Sequence, residues 1–422
     1  MDTAIETSVS VHDGNATTEN LRRPLLSHKD YTVGWICALP KEQTAAVALF
    51  DIRHEKLSKP RSDPNAHYLG SSENHNIVIV CLPKGRYGQT AAATAATHMI
   101  STFPNIKFGL MVGIGGGVPP KVRLGDVAVS VPVDQYPGVV QWDMGKAEDG
   151  GKFKRTGALN SPPTALLAAV GNLETTHAIE GSRTQLLLDQ MAEKLPNTDK
   201  NFTSYEALRD PLSPANDAQN DVPQTLPNLL LSLLSYVSGY PFDNTGKHHP
   251  VIDNLSTTHR KQIKVHHSLI ASGNQVIKDA AVRNHINDEL GDHVLCFEME
   301  AAGLMNDFPC LVIRGICDYA DSGKNKDWQE YAAASAAAYA KELLEHLDVS
   351  EVSVAPRAQD VLSHIQDTVV RLESYTRTKQ ELEIPDWLTT IDYGSRQSDI
   401  LSRRQPNTCQ WLLNTPEYQK WS

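Results

Sequence analysis

Three carboxylates stand at the ends of two neighbouring apolar segments of the chain. Glu298 and Glu300 close the segment Val294–Phe297, and Asp318 comes soon after the segment Cys310–Ile313. Both segments are short and apolar, which is typical of buried parallel strands, and Ala301–Met305 between them is predicted to form a crossover helix. Open α/β sheets bind ligands at the carboxyl ends of such strands, so we expect the acids to share one site. Carboxyl groups there can hold sugar hydroxyls and protonate a leaving group.

Each acid also has a plainer interpretation. Glu298 and Glu300 alternate along a strand end and could form an exposed pair, although two acids are costly to bury without partners. Asp318 and Asp321 could be loop residues that cap the next helix. Glu42, which opens the helix predicted after the first strand, could be a solvated carboxylate favoured by the helix dipole. The residue types alone leave both interpretations open.

A glycine cluster, Gly113-Ile114-Gly115-Gly116-Gly117, follows the predicted strand Phe108–Val112. It is not a dinucleotide fingerprint, because Val118 occupies the place of a required glycine, and it is not a Walker loop, because no GK[ST] follows. We interpret it as a glycine turn that lets backbone N–H groups approach a ribose, a water molecule or a phosphate. The alternative is a tight turn between a strand and a helix.

Two groups of basic residues are candidates for anion binding. Lys84 and Arg86 lie in a glycine-containing turn after the second predicted strand, where they could equally be solvated. His266 and His267 follow Lys264 in another predicted strand, and therefore face opposite ways. No further ligand spacing accompanies these histidines, so the sequence predicts no metal and no cofactor.

The bulk composition disfavours several classes of protein. The net charge of −11 opposes bulk attraction to nucleic acid or to an anionic membrane, and no apolar run is long enough to cross a bilayer. The six cysteines are scattered without CxxC pairs or zinc spacing, which favours a reduced, cytoplasmic protein. The polar N-terminus lacks the apolar core of a signal peptide.

Strands and helices alternate through most of the chain, which predicts a doubly wound α/β domain with a mixed, mostly parallel central sheet flanked by helices. This domain is placed at residues 29–350, after a disordered leader at residues 1–28. Residues 195–262 are rich in Pro, Asn, Asp and Thr and are interpreted as a divergent insertion. Residues 351–422 are predicted to be a helical linker or tail, because apolar residues from Val361 to Leu372 recur at helical spacing.

Residues 31 to about 347 resemble the purine nucleoside phosphorylase/nucleosidase superfamily. The resemblance is carried by segments spread over the domain, namely Ile36–Glu42, Gly113–Val118, Leu124–Ser130, Ser272–Ile277, Phe297–Ala301 and Arg314–Asp321. It implies a nucleoside phosphorylase-like fold and cleavage of the N-glycosidic bond of a small-molecule purine nucleotide or nucleoside. Because relatives are dimers or trimers of dimers, a homo-oligomer is expected.

The resemblance also implies roles for individual residues. Glu42 would bind the attacking water, Glu300 would hold the ribose hydroxyls, and Asp318 would protonate the purine at N7. Further substrate-binding residues are expected at Gly113, Ile114, Gly115, Val276, Ile277, Glu298 and Met299. Cys317 stands where many relatives have Ser.

The attacking nucleophile is predicted from what the glycine cluster lacks. Phosphate-using relatives of the hexameric type carry Arg and Ser around this loop, whereas this chain has Met111 and Ile114 there. Neither side chain can hold phosphate, so hydrolysis by water is favoured. A phosphate-dependent purine nucleoside phosphorylase is one alternative. A non-catalytic nucleotide-sensing or assembly domain is the other, although the presence of Glu42, Glu300 and Asp318 together disfavours it.

Within the superfamily, three segments resemble the N-terminal effector domain of fungal NLR-like receptors: Gly34–Pro40, Ile270–Gln275 and Arg314–Tyr319. The stretch from Trp387 to Leu413 resembles the linker that leads into a NACHT ATPase in those receptors. The resemblance implies an immune or cell-death effector that hydrolyses adenine nucleotides, with ATP favoured.

A bound triphosphate would need local positive charge in a chain whose net charge is −11. The candidates are Lys84 and Arg86, together with Lys264, His266 or His267. Arginine can hold phosphate oxygens in a bidentate way, and nearby glycines let backbone N–H groups contribute. The sequence therefore predicts a phosphate site near these residues.

Overall fold

The computed structural model describes residues 26–195, 202–205, 208–212, 262–361, 398 and 416–421. One compact unit ends at Gln359 and a second begins at Asp360. The strands of the first unit are β1 (Val33–Cys37), β2 (Ile52–Arg53), β3 (His67–Ser72), β4 (His75–Cys81), β5 (Phe108–Gly117), β6 (Val127–Ser130), β7 (Val139–Gln141), β8 (Gly145–Glu148), β9 (Lys152–Arg155), β10 (Val265–Ser272), β11 (Val294–Glu298) and β12 (Cys310–Asp318).

The helices of the first unit are α1 (Pro40–Ala48), α2 (Gln89–Thr102), α3 (Thr164–Glu180), α4 (Thr184–Lys194), α5 (Ala280–Glu289), α6 (Gln329–Glu345) and α7 (Val349–Val354). Short 3-10 helices lie at His28–Asp30, Asp149–Gly151 and Ala301–Gly303. The second unit contains α8 (Pro416–Trp421). None of the described helices combines the length and the apolar character that a membrane-crossing segment needs.

A single ten-stranded sheet forms the centre of the first unit. Its strand order is β11-β10-β6-β12-β5-β1-β4-β3-β2, and β7 pairs with β10. The pairs of β5 with β1 and with β12 are parallel, as are the pairs of β10 with β6, β7 and β11. β11 also pairs antiparallel with Gly116 and Gly117 of β5, which closes five strands into a ring. The predicted mixed, mostly parallel sheet flanked by helices is confirmed.

Helix α6 fixes β12 in the middle of this sheet. Its alanines are buried, and a Cβ added to Gly315 of β12 would lie only 1.8 Å from the carbonyl oxygen of Ala332. A helix can approach a strand this closely only where both side chains are small. The backbone that leads into Asp318 is therefore held directly by the backbone of α6.

Two predicted elements differ from the structure. The glycine cluster is not a turn, because β5 continues to Gly117 and its last residues pair with β11 and β12. The crossover helix predicted at Ala301–Met305 is only a 3-10 helix, Ala301–Gly303. The start of α2 leaves it little room, since a Cβ on Gly303 would lie 2.2 Å from the carbonyl oxygen of Gln89.

The described parts of the predicted insertion pack against residues at the end of β12 and at the N-terminal flank of helix α6. Phe202 is buried, and the carbonyl oxygen of Arg209 accepts a hydrogen bond from Trp328 Nε1 at 3.1 Å. Asp210 accepts a hydrogen bond from the Tyr319 hydroxyl at 3.0 Å. Residues 1–25, 213–261 and 362–397 lie outside the described residues, so the leader, most of the insertion and the apolar spacing of the tail stay predictions.

Candidate active site

A cavity of about 690 Å³ opens at the carboxyl ends of β1, β5, β10, β11 and β12. This volume is in the range of cavities that hold small-molecule ligands. Its lining residues are Ala38, Leu39, Pro40, Lys41, Glu42, Tyr87, Ile114, Gly115, Gly116, Gln275, Val276, Ile277, Phe297, Glu298, Met299, Glu300, Arg314, Cys317, Ala320, Lys324, Lys326 and Gln329. Apolar walls with a few convergent charged groups are typical of a catalytic or binding site.

Glu42 is buried in the wall of this cavity and is held by three backbone N–H groups. Its Oε2 accepts hydrogen bonds from Ala38 N at 2.7 Å and from Leu39 N at 2.9 Å. These N–H groups precede the start of α1 at Pro40, and Glu42 in the first turn of the helix reaches back to them. Its Oε1 accepts from Ile114 N at 2.9 Å, at the end of β5. Burial raises the pKa of Glu42, against the opposing effects of Arg314 and these N–H groups. Glu42 is therefore not the solvated first-turn carboxylate of the plainer interpretation.

Arg314 is the only buried guanidinium that the described chain places in the cavity wall, and it joins two carboxylates. Its Nη2 donates to Glu298 Oε2 and lies 3.4 Å from Glu300 Oε2. Glu298 also accepts from the backbone N–H groups of Glu300 and Ala301, at 3.0–3.2 Å. Both carboxylate oxygens of Glu298 are thus hydrogen-bonded within the protein. Glu298 positions Arg314 and the backbone segment that carries Glu300. The exposed acidic pair of the plainer interpretation is not formed.

Glu300 is also buried but has fewer partners. Its Oε1 accepts a hydrogen bond from Gly88 N at 3.1 Å, where α2 begins. Burial raises the pKa of Glu300 to about 7, with Glu298 and Glu42 adding to the effect and Arg314 opposing it. Glu300 can therefore exchange a proton near neutral pH, unlike an ordinary exposed glutamate.

Asp318 is buried at the end of β12, beside two residues that line the cavity. Its Oδ1 accepts from Ala320 N at 2.9 Å. Its Oδ2 accepts from Cys317 Sγ at 3.1 Å and from Lys324 Nζ at 3.1 Å. Burial raises the pKa of Cys317, so this thiol keeps its proton and acts as a donor. Ala320 has a φ of +51°, which is unusual for a residue with a side chain and marks a tightly constrained turn after the acid.

The glycine cluster gives these acids the space that they occupy. A Cβ on Gly113 would lie 2.5 Å from both Glu42 Oε1 and Arg314 Nη1. A Cβ on Gly116 would lie 2.8 Å from Asp318 Oδ1. These glycines lie in an extended strand and not in a turn. The site therefore depends on the space that their missing side chains leave, and not on the conformational freedom of their backbone.

Most of the predicted site residues lie together. The structure places Glu42, Ile114, Gly115, Val276, Ile277, Glu298, Met299 and Glu300 in the wall of the same cavity. Gly113 lies behind Glu42, and Asp318 lies behind Cys317 and Lys324. Side chains separated by more than 250 positions in the sequence are thus within one cavity, as the carboxyl-end argument predicts.

The predicted phosphate-binding residues do not line the cavity. Lys84 and Arg86 are exposed in the loop before α2, and it is Tyr87 of this loop that reaches the cavity wall. His266 Nε2 lies 3.0 Å from Asp126 Oδ2. The buried carboxylate of Asp126 also accepts a hydrogen bond from Lys264 N at 3.1 Å. These groups at the start of β10 therefore serve as hydrogen-bond partners of a buried acid and not as binding groups for a phosphate.

The cationic groups of the cavity were not predicted. Lys41, Lys324 and Lys326 line it, together with Arg314. The role of Arg314 could have been predicted from the sequence, because a single charged residue inside an apolar strand needs an oppositely charged, buried partner. The two lysines after Asp318 had no such signal, since they lie in an irregular loop before α6. Among the described residues, no group of His, Cys, Asp and Glu side chains is arranged to hold a metal ion.

Comparison with known proteins connects the chain to nucleosidases, although no family model matches it. An NLR-like protein of Hyaloscypha variabilis is 45% identical over 334 residues, which are 78% of this chain and 31% of that protein. The ATP nucleosidase Cap17 of Escherichia coli is 25% identical over 74% of this chain and 50% of its own length. A 5′-methylthioadenosine/S-adenosylhomocysteine nucleosidase of Mycobacterium bovis is 22% identical over 75% of this chain and 97% of its own length.

Solved structures of similar proteins include a futalosine hydrolase of Helicobacter pylori, which is 16% identical, with a TM-score of 0.47 over 76% of this chain and all of that one. A methylthioadenosine/S-adenosylhomocysteine nucleosidase of Neisseria meningitidis is 16% identical, with a TM-score of 0.46 over 74% of this chain and 98% of its own. The predicted resemblance to the nucleosidases and to an NLR-like protein is confirmed by the sequence relatives. This chain spans about a third of the NLR-like protein and half of the ATP nucleosidase.

Proposed function

We propose that this chain, whose homologues include an NLR-like protein and nucleosidases, hydrolyses the N-glycosidic bond of a purine nucleotide or nucleoside, with ATP or another adenine nucleotide as the favoured substrate. The observation that carries the proposal is that Glu42 and Glu300 line one cavity and that Asp318 lies directly behind two further lining residues, Cys317 and Lys324. The three carboxyl groups match the three tasks of the reaction, which are activation of water, stabilisation of the sugar and protonation of the base.

Asp318 is proposed to act on the leaving base. As the bond between C1′ and N9 breaks, its electron pair passes to the purine, and a proton from Asp318 reaches N7. General acid catalysis of this kind contributes roughly 10²- to 10⁴-fold. The Ala320 N–H and the Cys317 thiol fix the carboxyl group at distances of 2.9 Å and 3.1 Å, which orients it without using all of its lone pairs.

Glu300 is proposed to hold the ribose. The sugar becomes oxocarbenium-like during the cleavage, so the ionised form of Glu300 beside it lowers the barrier. Glu300 can accept hydrogen bonds from ribose hydroxyls through the lone pairs that Gly88 N and Arg314 leave open. Met299, which lines the cavity beside Glu300, would pack beneath the sugar.

Glu42 is proposed to orient the attacking water and to take its proton. The raised pKa of Glu42 makes its carboxylate a stronger base than an exposed glutamate. Its Oε2 accepts from two backbone N–H groups, whereas its Oε1 accepts from one and retains a lone pair for a water molecule. The water adds to C1′, and the proton that it loses passes to Glu42.

Water is favoured over phosphate as the nucleophile. Met111 is fully buried inside β5, and the N–H of Ile114 donates to Glu42, so neither residue is available to hold an attacking phosphate. The role as a cytoplasmic immune or cell-death effector, and assembly into a homo-oligomer, are further parts of the proposal. They rest on the relation to the NLR-like protein, of which this chain covers 31%.

Release of adenine from ATP and from adenosine, each with and without inorganic phosphate, tests the proposal. Release without phosphate supports a hydrolase, whereas release that requires phosphate identifies a phosphorylase. Absence of release from either substrate favours a nucleotide-sensing or assembly domain. Asp318→Asn is the matched control, because it keeps the shape of the side chain and should lower kcat by at least about 10²-fold while binding is retained.

A further inference from the structure

The general acid proposed above is paired with a lysine. Lys324 Nζ lies 3.1 Å from Asp318 Oδ2, and the side chain of Asp318 is almost fully buried, whereas that of Lys324 is 26% exposed. Among the described residues, Asp318 is the side-chain partner that the structure gives to Lys324. Because Lys324 lines the cavity and Asp318 lies behind it, the lysine separates the proposed general acid from the cavity.

The ion pair conflicts with proton donation. Both oxygens of Asp318 accept hydrogen bonds, Oδ1 from Ala320 N and Oδ2 from Cys317 Sγ and Lys324 Nζ. A carboxylic acid that protonates a base must instead donate from one oxygen, and an ammonium group cannot accept that hydrogen. Because Cys317 Sγ and Lys324 Nζ occupy both acceptor sites of Oδ2, Lys324 has to leave before that oxygen can carry and donate a proton. What removes it must offer a better anionic partner within the cavity.

A phosphorylated substrate supplies such a partner. Lys324 lines the cavity, and its flexible four-carbon stem allows the ammonium group to move while its Cα stays fixed. The other cavity lysines differ from it, because Lys41 is held by Gln329 at 3.0 Å and by Glu330, while Lys326 has no described contact with Asp318. Lys324 is therefore the one lysine whose movement toward a phosphate would change the state of the acid.

We propose that Lys324 selects phosphorylated substrates by exchanging partners, from Asp318 in the empty cavity to the 5′-phosphate of a bound nucleotide. The exchange leaves Asp318 without its counter-ion, and a buried, unpaired carboxylate is more stable as the neutral acid. Asp318 takes up a hydrogen ion from the buffered solvent and then donates it to N7 while the bond between C1′ and N9 breaks, and the electron pair of that bond passes to the purine. A nucleoside without phosphate does not trigger the exchange. This inference rests on the proposed hydrolase and explains a preference for nucleotides within the same site.

Steady-state adenine release from ATP and from adenosine tests the exchange. Lys324→Met removes the charge but keeps most of the side-chain volume. It should raise KM for ATP by about 10-fold, equivalent to roughly 1.4 kcal/mol for one lost charge-assisted contact, and should increase kcat for adenosine. The ratio of kcat/KM for ATP to kcat/KM for adenosine should therefore fall, because the value for ATP decreases and the value for adenosine increases. Lys56→Met, at an exposed lysine outside the cavity wall, is the matched control for the loss of one positive charge.

A binding measurement tests the same exchange without turnover. Asp318→Asn removes the competing partner of Lys324, so the variant should bind ATP roughly 3- to 10-fold more tightly than the wild type in calorimetry, with adenosine affinity unchanged. The double variant Asp318→Asn, Lys324→Met should lose this gain. Titration with inorganic phosphate shows whether a free anion is sufficient, because it would then compete with ATP and not with adenosine.

Two results would overturn the inference. One is that Lys324→Met lowers turnover of ATP and adenosine by the same factor, which would mean that the lysine assists the acid in place. The other is that Asp318→Asn binds ATP no more tightly than the wild type. If the wild type released no adenine at all, the proposed hydrolase would fail, whereas the binding measurement would still decide the role of Lys324.

Discussion

Replacing Gly116 by alanine tests whether the glycine cluster makes room for Asp318, the proposed general acid. A Cβ at Gly116 would lie 2.8 Å from Asp318 Oδ1 and 3.0 Å from Ala320 Cβ. Ordinary van der Waals contact begins near 3.4 Å, so the carboxyl group has to retreat by roughly 0.6 Å. It cannot simply rotate away, because the Ala320 N–H holds the same oxygen at 2.9 Å.

The expected magnitude follows from this displacement. A misplacement of about 1 Å in a reacting group costs about 10²-fold in rate. We therefore expect Gly116→Ala to lower kcat by about 10- to 100-fold, or about 1.4 to 2.7 kcal/mol in the activation free energy. Overpacking of this kind also costs about 1–3 kcal/mol of folding stability, so turnover is measured well below the melting temperature of the variant.

Adenine release at saturating ATP is the assay, and Gly171→Ala is the control. Gly171 lies in α3, and a Cβ there would meet no atom within 4 Å. This control should keep wild-type kcat and gain about 0.5–1 kcal/mol of stability, because alanine is a better helix former.

Wild-type turnover by Gly116→Ala would show that Asp318 does not need the space left by the glycine. A double variant provides a second criterion. Gly116→Ala combined with Asp318→Asn should be no slower than Asp318→Asn alone, because both changes act on one group. An additive further loss would mean that Gly116 contributes elsewhere in the reaction.

Three further predictions concern the buried charges. Glu300→Ala should slow hydrolysis of a ribonucleotide much more than that of its 2′-deoxy analogue, and equal losses in kcat/KM would show that Glu300 does not contact the 2′-hydroxyl. The raised pKa of Glu300, about 7, means that the folded state binds this proton more tightly than the unfolded state, so the unfolding free energy should fall as pH rises from about 4.5 to 7. Urea unfolding at the two pH values should show a smaller fall for Glu300→Gln, and an unchanged fall would place the titration elsewhere. Arg314→Met should destabilise the fold by about 3–5 kcal/mol in denaturant unfolding, since it leaves Glu298 and Glu300 buried without their cation, and adding Glu298→Gln should recover part of the loss.

The acids could be predicted because their signal is local. Glu298, Glu300 and Asp318 each follow an apolar strand, and parallel strands present their carboxyl ends to one edge of the sheet. The glycine cluster was interpreted wrongly as a turn for a physical reason. A turn uses the backbone freedom of glycine, whereas here Gly113 and Gly116 are needed for the volume of side chains that come from distant parts of the chain.

The cations could not be predicted in the same way. Lys84 and Arg86 follow a strand as the acids do, but the chain after β4 directs Tyr87 to the cavity instead. Lys324 reaches the cavity because the loop between β12 and α6 folds back over Asp318, and no periodic pattern specifies the path of such a loop. Only the three-dimensional structure shows that a basic side chain contacts the acid.

The position of β12 has a consequence for synthesis of the chain. β12 follows all the other described strands in the sequence, yet it lies between β5 and β6 in the middle of the sheet. Until β12 has been synthesised, the nascent polypeptide contains Glu300 but neither its cationic partner Arg314 nor Asp318, the proposed proton donor. The native pairing of β5 with β12 must therefore wait for this late strand, and premature termination before it yields fragments that lack both Arg314 and Asp318.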